Sequence, residues 1–191
     1  QWRFLPPGLV LQPHPFSLSA DPTDTTMRVT VRNLGAGTAR LQALRPGTKV
    51  AIEGPYGMFT DEARTSEKVV FVGAGIGIAP VRALLEATEI VPGQGAVILR
   101  AHTPGELYLA DEVAQLCRAK GAELHVLVGP RAGDTWVPQS YAGAHLTDFA
   151  PWAASADLFV CGPTPWMRAV IADAEACGIP EEQVHDELFA W

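Results

Sequence analysis

Eight residues near the middle of the chain, Gly73-Ala74-Gly75-Ile76-Gly77-Ile78-Ala79-Pro80, have the composition of a backbone that must turn sharply beside a ligand. Glycine lets the main chain approach a bound group without Cβ clashes. The N–H groups at the start of a helix, with its partial positive charge, suit a pyrophosphate. Pro80 fits a first helical turn, where its missing N–H costs little. Tight packing alone asks for similar residues, but the position after a buried strand favours nucleotide binding. No Gly-Lys-Ser/Thr follows, which excludes a Walker-type phosphate loop. A second candidate is Cys161-Gly162-Pro163, at the expected end of another parallel strand. Ligands of open α/β sheets sit beyond the carboxyl ends of the strands, so both segments would share one rim. Taken alone, Cys161 reads as a small core thiol, and no histidine is placed by sequence to make it a nucleophile. A third candidate, His14-Pro15-Phe16-Ser17-Leu18-Ser19, is by its chemistry only a strand with two outward hydroxyls.

The elements that must position these residues fall into two textures. Residues 1–62 carry short β-type runs between Pro and Gly turns: 16–19, the alternating 27–32, and 48–53. Residues 38–44 read as a short helix that ends at Pro46-Gly47, with Thr38 as its N-cap. This predicts part of a small antiparallel barrel. From Lys68 the pattern becomes strand–helix alternation. Strands are expected at 69–72, 96–99, 124–128, 158–161 and 183–188, and helices at 81–88, 106–120 and 165–177. That succession implies a parallel sheet covered by helices. The expected fold class is therefore an α/β nucleotide-binding domain, residues 68–191, preceded by a partial antiparallel β-barrel, residues 1–62. A polar, charged linker lies near 61–67.

Composition narrows the function classes. Of 191 residues, 48% are hydrophobic and 18% charged, which reads as globular and not disordered. A net charge of -7 disfavours nucleic acid as a partner, since that would favour a basic face. The three cysteines and five histidines have no metal-ligand spacing, so no metal site is expected. No apolar run approaches the ~18 residues needed to span a bilayer. The chain opens on Gln1 in a strand-like segment, and it is expected to be an N-terminally truncated part of something longer.

Five motifs in order resemble the ferredoxin–NADP reductase superfamily over essentially the whole chain. They are His14 to Ser19, then Glu53-Gly54-Pro55-Tyr56-Gly57, the glycine-rich turn, Cys161-Gly162-Pro163, and His185-Asp186-Glu187-Leu188-Phe189. Within that superfamily the chain looks most like the flavin-reductase portion of ferric reductase and NADPH oxidase-like proteins. The resemblance implies an FAD-dependent NAD(P)H oxidoreductase with hydride transfer from nicotinamide to flavin, then single-electron transfer to haem or ferric iron. It also implies a haem-bearing membrane portion or other acceptor as partner, and a cytoplasmic location on the cytosolic side of a membrane protein.

The same resemblance assigns roles. His14, Pro15, Phe16, Ser17, Leu18, Ser19 and Val31 would hold the flavin, with Ser17 near its reactive nitrogen and His14 where many relatives carry an arginine. Gly37 and Thr38 would meet the FAD pyrophosphate, although a plain helix cap predicts the same residues. Gly73, Gly75, Gly77, Ile78 and Pro80 would form the dinucleotide turn. Cys161, Gly162 and Pro163 would face the nicotinamide. Phe189, with Glu187 beside it in the last motif, would cover the flavin, and Trp191 could share that stacking. Ser17, Cys161 and Phe189 are the expected catalytic set. Arg100 and Arg131 could pair with a 2′-phosphate, favouring NADPH over NADH, or equally be solvated charges. Relatives often carry Thr where Ala79 stands, and Tyr where Leu99 stands. Two further readings stay open: a nucleotide-binding or assembly module without activity, and a soluble flavin reductase acting on small acceptors.

Overall fold

The computed structural model describes residues 1–5, 13–54 and 56–188. Pro55, Phe189 and Trp191, singled out above, lie outside the described residues. Strand β1 (Trp2–Phe4) pairs antiparallel with β2 (Val50–Ile52), with helix α1 (Ala36–Leu41) between them in sequence. The remainder runs β3 (Val69–Ala74), α2 (Ile78–Ala87), β4 (Gly95–Ala101), α3 (Ala110–Lys120), β5 (Glu123–Val128), α4 (Leu146–Phe149), β6 (Asp157–Cys161), α5 (Thr164–Ala176) and β7 (Val184–Glu187). The five later strands form one parallel sheet in the order β5-β4-β3-β6-β7. The expected α/β sheet is thus observed.

Alternation along each strand builds two cores. Val69 and Phe71 of β3, Val97 and Leu99 of β4, and Phe159 and Cys161 of β6 pack under α2 and α3, against Ile78, Val81, Leu85, Val113 and Cys117. Their neighbours Val70, Val72, Ala96, Ile98, Leu158 and Val160 face the other way, toward Leu146, Phe149, Met167 and Val170 of α4 and α5. Every one of these strand positions is fully buried, which is why β3, β4 and β6 read as unbroken apolar runs. Each large side chain so buried contributes about 1.5–3 kcal/mol.

The N-terminal lobe is smaller. Trp2 and Phe4 pack against Phe16, Leu18, Val29, Leu41 and Leu44, and Trp2 Nε1 donates to the Phe16 carbonyl at 3.0 Å. The strands expected at 16–19 and 27–32 shrink to a single bridge, Leu18 with Val29. Arg28 is the reason: its Nη2 takes the Ser19 carbonyl at 2.6 Å, leaving that oxygen to a side chain instead of a ladder N–H.

Two helix boundaries also differ from expectation. Helix α1 begins at Ala36, after Gly35, so Thr38 lies inside its first turn and accepts from Leu34 N at 2.9 Å. The helix expected at 106–120 begins only at Ala110. Glu106 uses its carboxylate on the His102 and Thr103 amides, closing a separate turn at Pro104–Glu106. Leu109 then adopts φ 58, which no right-handed helix can continue through.

Candidate cofactor site

The chain leaves β3 toward β4 and β5 on one side, then returns to β6 and β7 on the other. The carboxyl ends of β3 and β6 therefore flank the point where the strand order reverses, the crevice in which such sheets bind ligands. Gly75, at φ 54, turns the chain out of β3 in a conformation L side chains rarely adopt. Gly77 then lies directly on the end of β6. A Cβ there would come within 2.8 Å of Gly162 N and closer still to the Cys161 carbonyl. The two rim segments are thus in backbone contact, and α2 starts from that contact with Ile78, Ala79 and Pro80 buried in its first turn.

In front of this rim lies an open cleft of about 390 Å³. One wall is Pro15, Phe16, Ser17, Thr30, Val31, Arg32 and Leu34; the other is Ile76, Ala79 and Pro80. Ser17 Oγ also donates to the Glu187 carboxylate. Glu187 pairs with Cys161 across β6 and β7, and the Cys161 thiol points to the Glu187 carbonyl, with Sγ–O 3.4 Å. Ser17, Glu187, Cys161, Gly162 and Gly77 thus form one connected group.

The electrostatics of that group are set by burial. Cys161 is fully buried; desolvation, reinforced by the charges of Glu187 and Asp186, pushes its thiol far up. It is a neutral, compact wall and not a thiolate. Burial also raises the Glu187 carboxyl, while the hydrogen bond from Ser17 opposes the rise.

Other expected residues lie elsewhere. The His14 ring stacks on Phe16 with centroids 5.3 Å apart and tilts against Phe4. Its Nε2 is buried with no hydrogen-bond partner among the described residues. Leu18 packs in the N-terminal core. Ser19 is fully buried, its Oγ accepting from Thr30 Oγ1 at 2.9 Å. Gly37 and Thr38 are in α1 and do not line the cleft themselves, although Thr38 Oγ1 accepts from the amide of Leu34, which does. Arg100 is 5% exposed and donates to the carbonyls of Ala101, Gly129 (2.7 Å) and Trp136 (3.3 Å); burial lowers its pKa, and nearby Arg131 adds to the drop. Arg131 is half-buried and folds onto its own loop, donating to the carbonyls of Thr135 and Asp134.

Sequence reasoning missed Thr30 and Arg32 as cleft residues. A regular strand over 27–32 would send Val31 to one face and its neighbours to the other. The irregular segment instead presents Thr30, Val31 and Arg32 together, and no periodicity could have shown that.

A reversing parallel sheet with a glycine turn on its rim, faced by a cleft from a second lobe, defines a dinucleotide-binding oxidoreductase domain. Comparison with known proteins makes this specific. The sequence profile of the oxidoreductase NAD-binding domain matches residues 71–172. The chain is 28% identical over 167 residues to ferredoxin–NADP reductase B of Sorangium cellulosum, covering 81% of this chain and 68% of that protein. It is 30% identical over 163 residues to the ferredoxin–NAD(+) reductase component of the alkene monooxygenase system of Xanthobacter autotrophicus, covering 81% of this chain and 49% of that one. It also spans 41% of the propane 2-monooxygenase reductase component of Rhodococcus jostii, at 29% identity over 151 residues, 75% of this chain. Against several curated relatives, then, the chain accounts for about half of the length or less. Among solved structures, the flavohem-like FAD/NAD binding domain of nitric oxide dioxygenase from Vibrio cholerae superposes with TM-score 0.73 at 22% identity, covering 91% of this chain and 76% of that one. The chain belongs to the oxidoreductase NAD-binding domain family, within the ferredoxin–NADP reductase superfamily of FAD-dependent NAD(P)H oxidoreductases.

Proposed function

We propose that this chain holds a reduced nicotinamide dinucleotide against FAD and passes the electrons singly to haem or ferric iron, as in the ferric reductase-like branch of the superfamily. The observation that carries this reading is the shared cleft, with Phe16, Ser17 and Val31 on one wall and Ile76, Ala79 and Pro80 on the other. FAD supplies the chemistry: it takes a hydride and releases single electrons. The residues present suit it. The cleft is apolar, with one exposed cation, Arg32, at its wall and hydroxyls from Ser17 and Thr30.

The chain's own work is positional. Gly75 and Gly77 bring main-chain amides to the rim, where a pyrophosphate fits. Cys161, Gly162 and Pro163 floor the nicotinamide position, and Ser17 presents its hydroxyl from the opposite wall, held by Glu187. Phe189 and Trp191 complete the proposed flavin contacts. The barrel-like lobe, 1–62, is assigned to the flavin and residues 68–191 to NAD(P)H. Arg131, half-buried beside Arg100, gives that rim the positive charge a 2′-phosphate needs, so NADPH is the proposed donor. Among the described residues no helix is long and apolar enough to cross a membrane; a haem-bearing membrane portion would be a separate partner, with this chain on its cytosolic side.

The test is direct. The purified chain, supplied with FAD, should turn yellow, bleach anaerobically with NADPH and reduce ferricyanide or cytochrome c. A protein that stays colourless and inert with added FAD overturns the proposal and leaves a nucleotide-binding module.

A further inference from the structure

The two walls of the cleft are also joined by a charged network whose charged side chains lie outside the nucleotide and flavin motifs. Arg82 of α2, whose side chain is only 9% exposed, stands at its centre. Its Nη1 and Nη2 grip both oxygens of Glu86, the latter at 3.0 Å, and its Nε donates to Glu112 Oε2 at 2.9 Å. Each carboxylate then reaches the other lobe. Glu112 accepts from Arg28 Nη2 at 2.8 Å, and the same Nη2 donates to the Ser19 carbonyl at 2.6 Å. Glu86 Oε2 accepts from the Asp21 amide at 2.7 Å.

We propose that Arg82, through Glu86 and Glu112, is a positioning residue: it latches the Ser19–Arg28 segment onto α2 and so fixes the distance between the Ser17 wall and the Pro80 wall. The inference rests on the reading of the cleft given above.

Three features make this more than surface charge. Ser19 is two residues from Ser17, and Arg82 two residues from Pro80, so the network ties each wall close to its working end. Arg82 is nearly buried and bidentate, the setting in which a guanidinium fork gives geometry as well as energy. An isolated exposed pair would contribute little. Moreover, the latched segment is held by few other polar ties among the described residues: the Leu18–Val29 bridge, the Ser19 amide on the Arg28 carbonyl at 2.8 Å and the Thr30 hydroxyl on Ser19. The two carboxyls register the arrangement: Glu86 is held below the usual carboxylate range chiefly by its bond from Arg82, and Glu112 chiefly by its bond from Arg28. Hydride transfer is steeply sensitive to placement, a 1 Å error costing roughly 100-fold. Dinucleotide binding depends on the glycine turn and not on this network. Loosening the latch should therefore slow transfer without weakening binding.

Arg82 is too buried for its removal to separate folding from positioning, so Arg28, 38% exposed at its side chain, is the residue to change. The variants are Arg28→Met and the conservative Arg28→Lys, in the full chain. Hydrogen exchange is read first, without cofactor. The Ser19 and Asp21 amides of Arg28→Met should exchange about ten-fold faster, with the sheet amides unchanged. With FAD bound, the limiting rate of flavin bleaching at saturating NAD(P)H should fall about 10- to 100-fold while the dissociation constant for NAD(P)H stays within about two-fold. Arg28→Lys should recover most of both. Unchanged exchange overturns the latch. Faster exchange with an unchanged limiting rate overturns positioning and leaves a structural tie. If the unmodified chain bleaches no flavin, the cleft reading fails, and exchange alone still decides whether the network holds the segment.

Discussion

Replacing Gly77 with alanine puts the contact between the two rim segments to a test whose sign is decisive. The residue has φ -61 and ψ -12 at the start of α2, an ordinary helical conformation for alanine. On backbone preference alone, Gly77→Ala should stabilise the protein by up to ~1 kcal/mol, because alanine is the better helix former and leaves less entropy to lose. The steric side opposes it. The new methyl would meet Cys161 and Gly162 main chain, 2.8 Å from the amide nitrogen and nearer still to the carbonyl. Backbone held in β6 cannot swing aside as a flexible side chain could. Overpacking of this kind costs about 2–3 kcal/mol. The balance is a loss of about 1–2 kcal/mol, or about 2–8 °C in Tm for a chain of this size. Relief comes only by parting β6 from the turn, which moves amides away from the rim, so NAD(P)H affinity should fall about ten-fold. Thermal melts and calorimetric titration with NADPH measure both. A variant with a raised Tm and unchanged affinity would mean the two segments do not touch, and the argument for their joint role would fail.

Further perturbations probe other parts of the reasoning. In the folded protein, iodoacetamide should label half-exposed Cys177 first, read by peptide mass spectrometry; Cys161 and Cys117 should resist, being buried, with the Cys117 thiol pushed up to about 11. Asp157→Ala should cost roughly 3 kcal/mol in urea melts, because that fully buried carboxylate accepts from Thr65 N and Ser66 N and meets His185 Nε2, and alanine leaves all three without it. Asp173 holds the His145 ring and raises its pKa above the ordinary 6.5. A raised folded pKa gives stability that is full below 6.5 and lost as pH rises through the folded value. The Tm gap between the natural chain and His145→Gln should accordingly close on going from acid to alkaline buffer. Arg131→Ala should raise KM for NADPH about ten-fold and leave KM for NADH unchanged; equal effects on both would remove Arg131 from the proposed 2′-phosphate contact.

What the sequence disclosed followed from strong local constraints. Fully buried parallel strands must be apolar without interruption, so the runs at 69–72 and 158–161 marked β3 and β6 and, through them, the rim. Pro80 and the glycines marked the turn because few other residues can occupy it. The N-terminal lobe was less legible. Its runs at 16–19 and 27–32 carry strand-like alternation, yet the side chain of Arg28, within the second run, claims the carbonyl that a ladder needs. The break at Leu109 was hidden for a similar reason: the amphipathic pattern continues through it, and only tertiary context holds a leucine at φ 58. Ser17 and Glu187, 170 positions apart, could be joined by resemblance but not by spacing.

The connector between the lobes is tied down at its sheet end. Asp157 seizes Thr65 and Ser66 at the amino end of the sheet, and Arg64 braces the same stretch through Asp61 and the carbonyls of Ser66, Glu67 and Glu89. The stretch is a riveted heel, not a loose tether. With that heel fixed at the amino ends of the strands, opposite the cleft, any shift of the N-terminal lobe must be taken up by residues before Asp61 and not by the connector.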